Sequence, residues 1–496
     1  MRSTLSVTLI LGASLLAPQW ALADAQSEAI KTAIADYLTA SSERVDESQI
    51  TYKDLTVAPD GDGYQVVFTD VMVVADEDVS IDLGSPKFTV QQQGEDWLVS
   101  NVSLPPSVVL TDKSEGGTAT WAYTLVGMTA TWTPRFREFK ALDARMTDST
   151  VTLRDTGDSS EAPLVFQLGE IDLKIDTVED SDTSWSHQSV ASLGPISVVD
   201  PEGQGSLKIT QVLLESGVDG LDPTAYETLL KTTAELEAAQ EAKDAAKEKS
   251  LLDQLLAMAP VAVGTTQSLS LKDLTFEDTE AGWMNVVMDS GSLAFTGLAP
   301  KGSDTGSVAV TAVGKGLVLS GKDLDPDDQL TSLVAPENWD IKIALDKLPV
   351  KEANELIMQM AYSALDLTPE PEVGFPKILD AASKAGTELM IKPLTLQGKQ
   401  AAITGDGHAK VDPSAALQAT GGASLLLTGI DSLQQTLSAQ LPQEMQQGVV
   451  GALVFLKGLG KAETVDGEVA YRYVFDLPAD GNATLNGQPL GALMGN

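Results

Sequence analysis

The chain has 496 residues with 71 Asp and Glu against 32 Lys and Arg, two histidines, no cysteine and a formal net charge of −39. The length exceeds one ordinary hydrophobic core and calls for two or three packed units, and the charge excludes the basic surface that phosphate contacts need. Without cysteine there are no disulfides, thiolate nucleophiles or cysteine metal sites, while an apolar fraction of 43% is ample for burial.

Residues 1–23 read MRSTLSVTLILGASLLAPQWALA. Arg2 forms a short basic start, Leu5 to Leu16 is apolar, and Ala21-Leu22-Ala23 offers a small-x-small cleavage site before Asp24. A spanning helix needs about 20 apolar residues, and Pro18 and Gln19 interrupt this run too early. The pattern predicts a cleaved signal peptide and a mature protein in a bacterial periplasm or the surrounding medium. No later segment is expected to span a bilayer, because the best apolar run, Val449 to Leu456, stops at Lys457 after eight residues.

Ile30, Ile34, Tyr37 and Leu38 stand at helical spacing, which predicts a short amphipathic helix over 24–39. From Thr51 to Leu214, short alternating Val, Thr, Leu and Ser runs broken by Gly, Asp and Pro predict antiparallel strands. Ile171, Leu173 and Ile175 alternate with Asp172, Lys174 and Asp176, and APDGDGY at 58–64 reads as a hairpin turn. The segment Tyr64 to Val73, YQVVFTDVMV, carries apolar residues on two faces.

Asp222-Pro223 places an N-cap before a first-turn proline, and nothing breaks a helix until Pro260. A single helix there would be about 55 Å long. Its middle, Glu237 to Lys249, has no large apolar residue, so the span is either a solvated bridging helix or the bend of a helical hairpin. Strands resume at Leu269 and then alternate with helices. Trp339, Ile341, Ile343 and Leu345 share one strand face, and helices are expected over 350–365, 375–385 and 431–457. The expected organisation is a signal peptide at 1–23, a β-rich domain at 24–221, a long helix or helical hairpin at 222–260 and an α+β domain at 261–496. The fold class is α+β and β-dominated, with long curved antiparallel sheets and a few amphipathic helices.

Catalytic signatures are missing from the sequence. His187 in DTSWSHQS and His408 in ITGDGHAKV sit in turn-like contexts without ligand spacing, and neither a G-x-S-x-G elbow nor an S-x-x-K pair is present. Asp323, Asp325 and Asp327 imitate the start of a calcium loop, but Asp328 replaces the turn glycine and Val334 the bidentate glutamate. No catalytic, cofactor-binding or metal residue is therefore assigned, and no cofactor is expected.

The stretch from Thr387 to Leu437, with GIDSL at 429–433, and the closing FDLPADGNATLNGQPLG resemble exported envelope families of the YdgA and AsmA-like kind. The resemblance covers 265–496, and 45–221 more loosely. It implies stacked strands, a recurring strand-plus-helix unit, and lipid carriage along an incurved sheet without enzymatic residues. The expected function is thus a periplasmic, non-enzymatic envelope protein binding lipid or another hydrophobic ligand. The alternative is an assembly or interaction protein with a closed core and no ligand, with a hydrolase a distant third. Leu356, Ile357, Met360, Leu433 and Leu437 form the candidate lid over such a groove. Partners would be lipid or envelope proteins rather than nucleic acid.

N-terminal sequencing of the exported protein should begin at Asp24. Replacing Ala23 with Pro should leave uncut precursor accumulating, and a mature chain retaining earlier residues would contradict this.

Overall fold

The computed structural model describes residues 27–493 except for 29, 36–37, 39–48, 75–77, 113–115, 134–137, 156–161, 182, 259–260, 279–284, 323 and 354–374. The chain is β-dominated, with long antiparallel pairings and several helices. It divides into two compact units, one holding the residues up to Glu179 with His187–Glu215, the other Asp180–Ser186 with Ser216–Asn496.

In the first unit, strands run end to end in pairs. These are β1 (Gln49–Thr51) with β2 (Asp54–Asp60), β3 (Gly63–Thr69) with β4 (Val71–Val74), β5 (Val79–Gly84) with β6 (Lys87–Gln93), and β7 (Asp96–Ser103) with β8 (Ser107–Asp112). One half pairs β2–β3, β3–β6 and β6–β7; the other pairs β1–β4, β4–β5 and β5–β8. Both halves meet one edge of β9 (Gly117–Thr133), where β8 covers Gly117–Ala122 and β7 covers Ala130–Trp132. The other edge takes β10 (Glu138–Asp155), which pairs with β11 (Leu164–Ser181). After β12 (Ser184–Gly194), β13 (Ile196–Val199) lies between β11 and β14 (Gly205–Leu221).

The corners between halves decide where the core sits. Asp70, at φ 50°, joins β3 to β4, and Gly84, at φ 62°, closes β5 so near the Pro105 ring that a Cβ would stand 2.7 Å from it. Each corner resets the two-residue alternation. Val66 and Phe68 are even-numbered and buried before Asp70, whereas Val71 and Val73 are odd-numbered and buried after it. The apolar look of YQVVFTDVMV therefore comes from two consecutive strands, β3 and β4, that pair in different halves and bury opposite parities in one core. Trp97, Val99, Ala130, Trp132, Leu142 and Ile171 join the same cluster. The described residues 27–28, 30–35 and 38 are helical and are labelled α1; their Ile30, Ile34 and Leu38 lie 0–2% exposed in this cluster. Their four-residue spacing is the stripe the sequence displays.

The second unit is a sequential antiparallel array. β15 (Gly264–Asp278) pairs with β16 (Asn285–Leu298), which is flanked by β17 (Thr305–Lys315) and β18 (Val318–Ser320). β19 (Asn338–Pro349), β20 (Glu388–Gln397), β21 (Ala402–Val411) and β22 (Ala419–Thr428) follow in order. After β23 (Lys461–Val465), β24 (Glu468–Leu477) pairs with both β22 and β23. β25 (Thr484–Leu485) also pairs with β24, and an Asn486-Gly487 turn joins it to β26 (Gln488–Pro489).

Helices enter between these strands. α2 (Pro223–Glu241) and α3 (Ala245–Ala257) form the hairpin alternative rather than one 55 Å rod. Asp222 caps α2 by accepting the backbone N–H groups of Thr224 and Ala225. The Ala225 N–H, with Lys301 beside it, holds the Asp222 carboxyl below the ordinary aspartate range. The cap's contribution is therefore complete above the unfolded aspartate range and fades as pH falls through the lowered value. Lys243, at φ 54°, makes the bend, and Leu236, Ala239, Leu251, Leu252 and Leu255 close a small core between the two helices. The hairpin lies within the second unit. Next come α4 (Pro326–Val334), a helical start at 350–353, and α5 (Phe375–Ala385). α6 (Ile430–Gln440) and α7 (Gln443–Leu459) separate β22 from β23, and α8 (Leu490–Leu493) follows β26. Among the described residues no helix is long and apolar enough to cross a membrane.

Ile34→Ala should lower the unfolding free energy by about 3 kcal/mol, the usual cost of a large-to-small change at a fully buried site. Urea unfolding followed by tryptophan fluorescence checks it. An unchanged midpoint would remove α1 from the core.

Candidate hydrophobic-ligand face

Partners directly opposite in an antiparallel pair point to the same face of the sheet. Following the register across the second unit, Leu269 stands opposite Leu293, and Phe295 opposite Val310, which is opposite Ile343 and then Ile391. Val308 leads likewise to Leu345 and Leu389. Farther along, Leu425 faces Tyr473, and Ala423 faces Phe475. One side of the array from β15 to β24 is thus apolar in row after row. The intervening positions are polar: Thr266 opposite Thr296, Ser270 opposite Ser292, Thr395 opposite Thr404. On that polar side Arg472 donates to Glu463 and to Ser424 Oγ, and this guanidinium contact holds the Glu463 carboxyl below its usual range.

Covering of the apolar side is uneven. The Trp339 ring lies flat on Gly314, so closely that a Cβ there would fall 2.0 Å from Cζ2. At the β24 end, Tyr473 donates its hydroxyl hydrogen to the Leu456 carbonyl of α7, and Gly460 packs against the Tyr471 and Tyr473 side chains. Elsewhere on this side Leu269, Leu293, Phe295, Val310, Ile343 and Leu345 remain 37–52% exposed. Six large apolar side chains on four neighbouring strands amount to several hundred Å² of accessible apolar surface, roughly the upper limit for a soluble monomer without a partner.

Of the lid residues expected from sequence, Leu356, Ile357 and Met360 lie outside the described residues. Leu437 is completely buried on α6, and Leu433 is half-buried on the same helix. The sequence marked only the β19 part of this face, Trp339, Ile341, Ile343 and Leu345, and not its continuation over the neighbouring strands. Its signal was present in LSL at 269–271, LAF at 293–295 and VAV at 308–310, but only the register makes those short runs into one surface.

Both histidines lie in strands rather than turns. His187 in β12 makes a 2.9 Å contact through Nδ1 with Thr177 Oγ1, while His408 is exposed in β21 on the polar side. Asp325 caps α4 by accepting the Asp328 N–H. No group of three or more potential metal-ligating His, Cys, Asp or Glu side chains occurs among the described residues. The chain matches no protein-family model, no curated protein and no solved structure.

Gly314→Ala should destabilise the second unit by about 1–3 kcal/mol, because the new methyl must displace the Trp339 ring or shift the strand. Thermal unfolding checks this; an unaltered melting temperature would show that the ring moves freely and does not seal that end.

Proposed function

We propose that the chain is an exported, non-enzymatic protein of the bacterial envelope that holds lipid or another elongated hydrophobic molecule against the apolar face of β15–β24. The supporting observation is the row Phe295, Val310 and Ile343, in register and still accessible to solvent. Water at such a surface is unfavourable by about 25 cal/mol per Å² of apolar area, so an acyl chain laid along it gains free energy without any hydrogen bond. Among the described residues the face is mostly apolar, with Thr265 and Gln267 on β15 as polar side chains at its edge, which suits a carrier of chains more than a selective receptor. The resemblance of 265–496 to YdgA and AsmA-like proteins points the same way, as does the N-terminal export pattern.

The closed core of the first unit fits the second reading, an assembly or interaction role, for that part of the molecule.

Protein purified without detergent should release lipid on organic extraction, detected by mass spectrometry, and Ile343→Glu should reduce the amount several-fold, because it buries a charge beneath any bound chain. A wild-type protein that yields no lipid and binds no hydrophobic dye would overturn the proposal and leave the assembly role.

A further inference from the structure

Helix α7 has no buried residue, although its sequence from Val449 to Leu456 is uninterruptedly apolar or glycine. Val454, Phe455 and Leu456 are 53, 60 and 40% exposed. At 3.6 residues per turn these three side chains fan through about 200° of the helix circumference. A helix that docks in a protein groove offers an apolar stripe of about 100°. Gly448, Gly451 and Gly458 have open space where a Cβ would stand, so from 448 to 456 the exposed arc is free of polar side chains, and Glu444 and Gln447 stand on it only nearer the helix N-terminus.

The charge distribution selects the occupant. Residues 430–459, spanning α6 and α7, carry three charges, Asp431, Glu444 and Lys457, in a chain whose net charge is −39. Asp431 and Lys457 form an ion pair, and Lys457 also lies over the Tyr471 ring, 5.8 Å from its centroid. The stretch from Met445 to Leu456 therefore carries no charge, so it can approach a phospholipid surface with less repulsion than the acidic body. The helix is also continuous with the apolar face: Tyr473, which bonds the Leu456 carbonyl, belongs to the row of Leu425.

From these observations we infer that α7 is a membrane-docking element that rests in the interfacial region of a phospholipid bilayer and brings the β24 end of the apolar face to the lipid. The inference rests on the preceding reading for its purpose and on α7 alone for its geometry. The bilayer meets the exposed arc from all directions at once, which neither a second copy nor a grooved protein partner does.

The test uses the full chain and vesicles of phosphatidylcholine. The absence of cysteine makes Val454→Cys a unique labelling site, and Thr404→Cys on the polar side is the control. An environment-sensitive dye at 454 should brighten and shift to the blue on adding vesicles, while the dye at 404 should not. Phe455→Glu, at a position exposed in the folded protein, should weaken the vesicle-induced response at 454 about tenfold with the far-UV circular dichroism spectrum unchanged. Ile343→Glu should leave the response intact even if it empties the apolar face, so the two proposals fail separately. An unresponsive dye at 454, or a response that appears without vesicles as protein concentration rises, would overturn membrane docking, the latter in favour of a second copy.

Discussion

An antiparallel sheet with one apolar face must have that face covered, because exposed apolar surface is unfavourable in proportion to its area. The two units of this chain share the same raw material, strands of alternating apolar and polar residues, and differ in how they meet that requirement. In the first unit, corners at Asp70, Gly84 and the Pro105-Pro106 segment reset the alternation as the chain passes between half-sheets. Both halves then turn their apolar side chains on one cluster, and α1 fills what remains. The second unit continues strand beside strand without such a folding-over. Its apolar rows stay aligned across the array; among the described residues Trp339 covers the face at Gly314 and α7 meets it at the β24 end, while α5 packs beside β19 and β21.

That difference separates a structural core from a candidate binding surface without invoking any catalytic residue. Ile341 and Ile343 point to the same side as Phe295 and Val310, while Lys342 between them points away. The side that solvent reaches at Ile343 is the apolar side, an arrangement that costs stability unless something occupies it. Arg472 with Glu463 and the threonine and serine ladders keep the opposite side wetted and soluble.

Fold class was legible in the sequence because alternation and capping are local. Asp222-Pro223 marks a helix start that the structure places there, and Trp339 to Leu345 is the strand its pattern indicates. The hairpin between α2 and α3 was one of two open readings, because the alanine and charge of its middle are equally compatible with a straight solvated helix. Leu251, Leu252 and Leu255 decide the matter by finding Leu236 and Ala239, a contact no local pattern specifies. The apolar face was less legible still. Leu293, Phe295 and Val310 belong to short runs that look ordinary one strand at a time, and their alignment depends on registers fixed by turns and bulges. The two apolar faces of YQVVFTDVMV could not be interpreted from the sequence for the same reason, since only the left-handed backbone at Asp70 reveals that the alternation is reset between β3 and β4.

The most direct test is photocrosslinking in the intact cell from adjacent positions on one strand. A photoreactive side chain at Ile343 samples the apolar side of β19, and the same group at Lys342 samples the polar side. Adducts with lipid at 343 and none at 342 are the predicted result. Lipid adducts that are absent from 343, or equal at the two positions, would contradict the claim that this face is a hydrophobic-ligand surface.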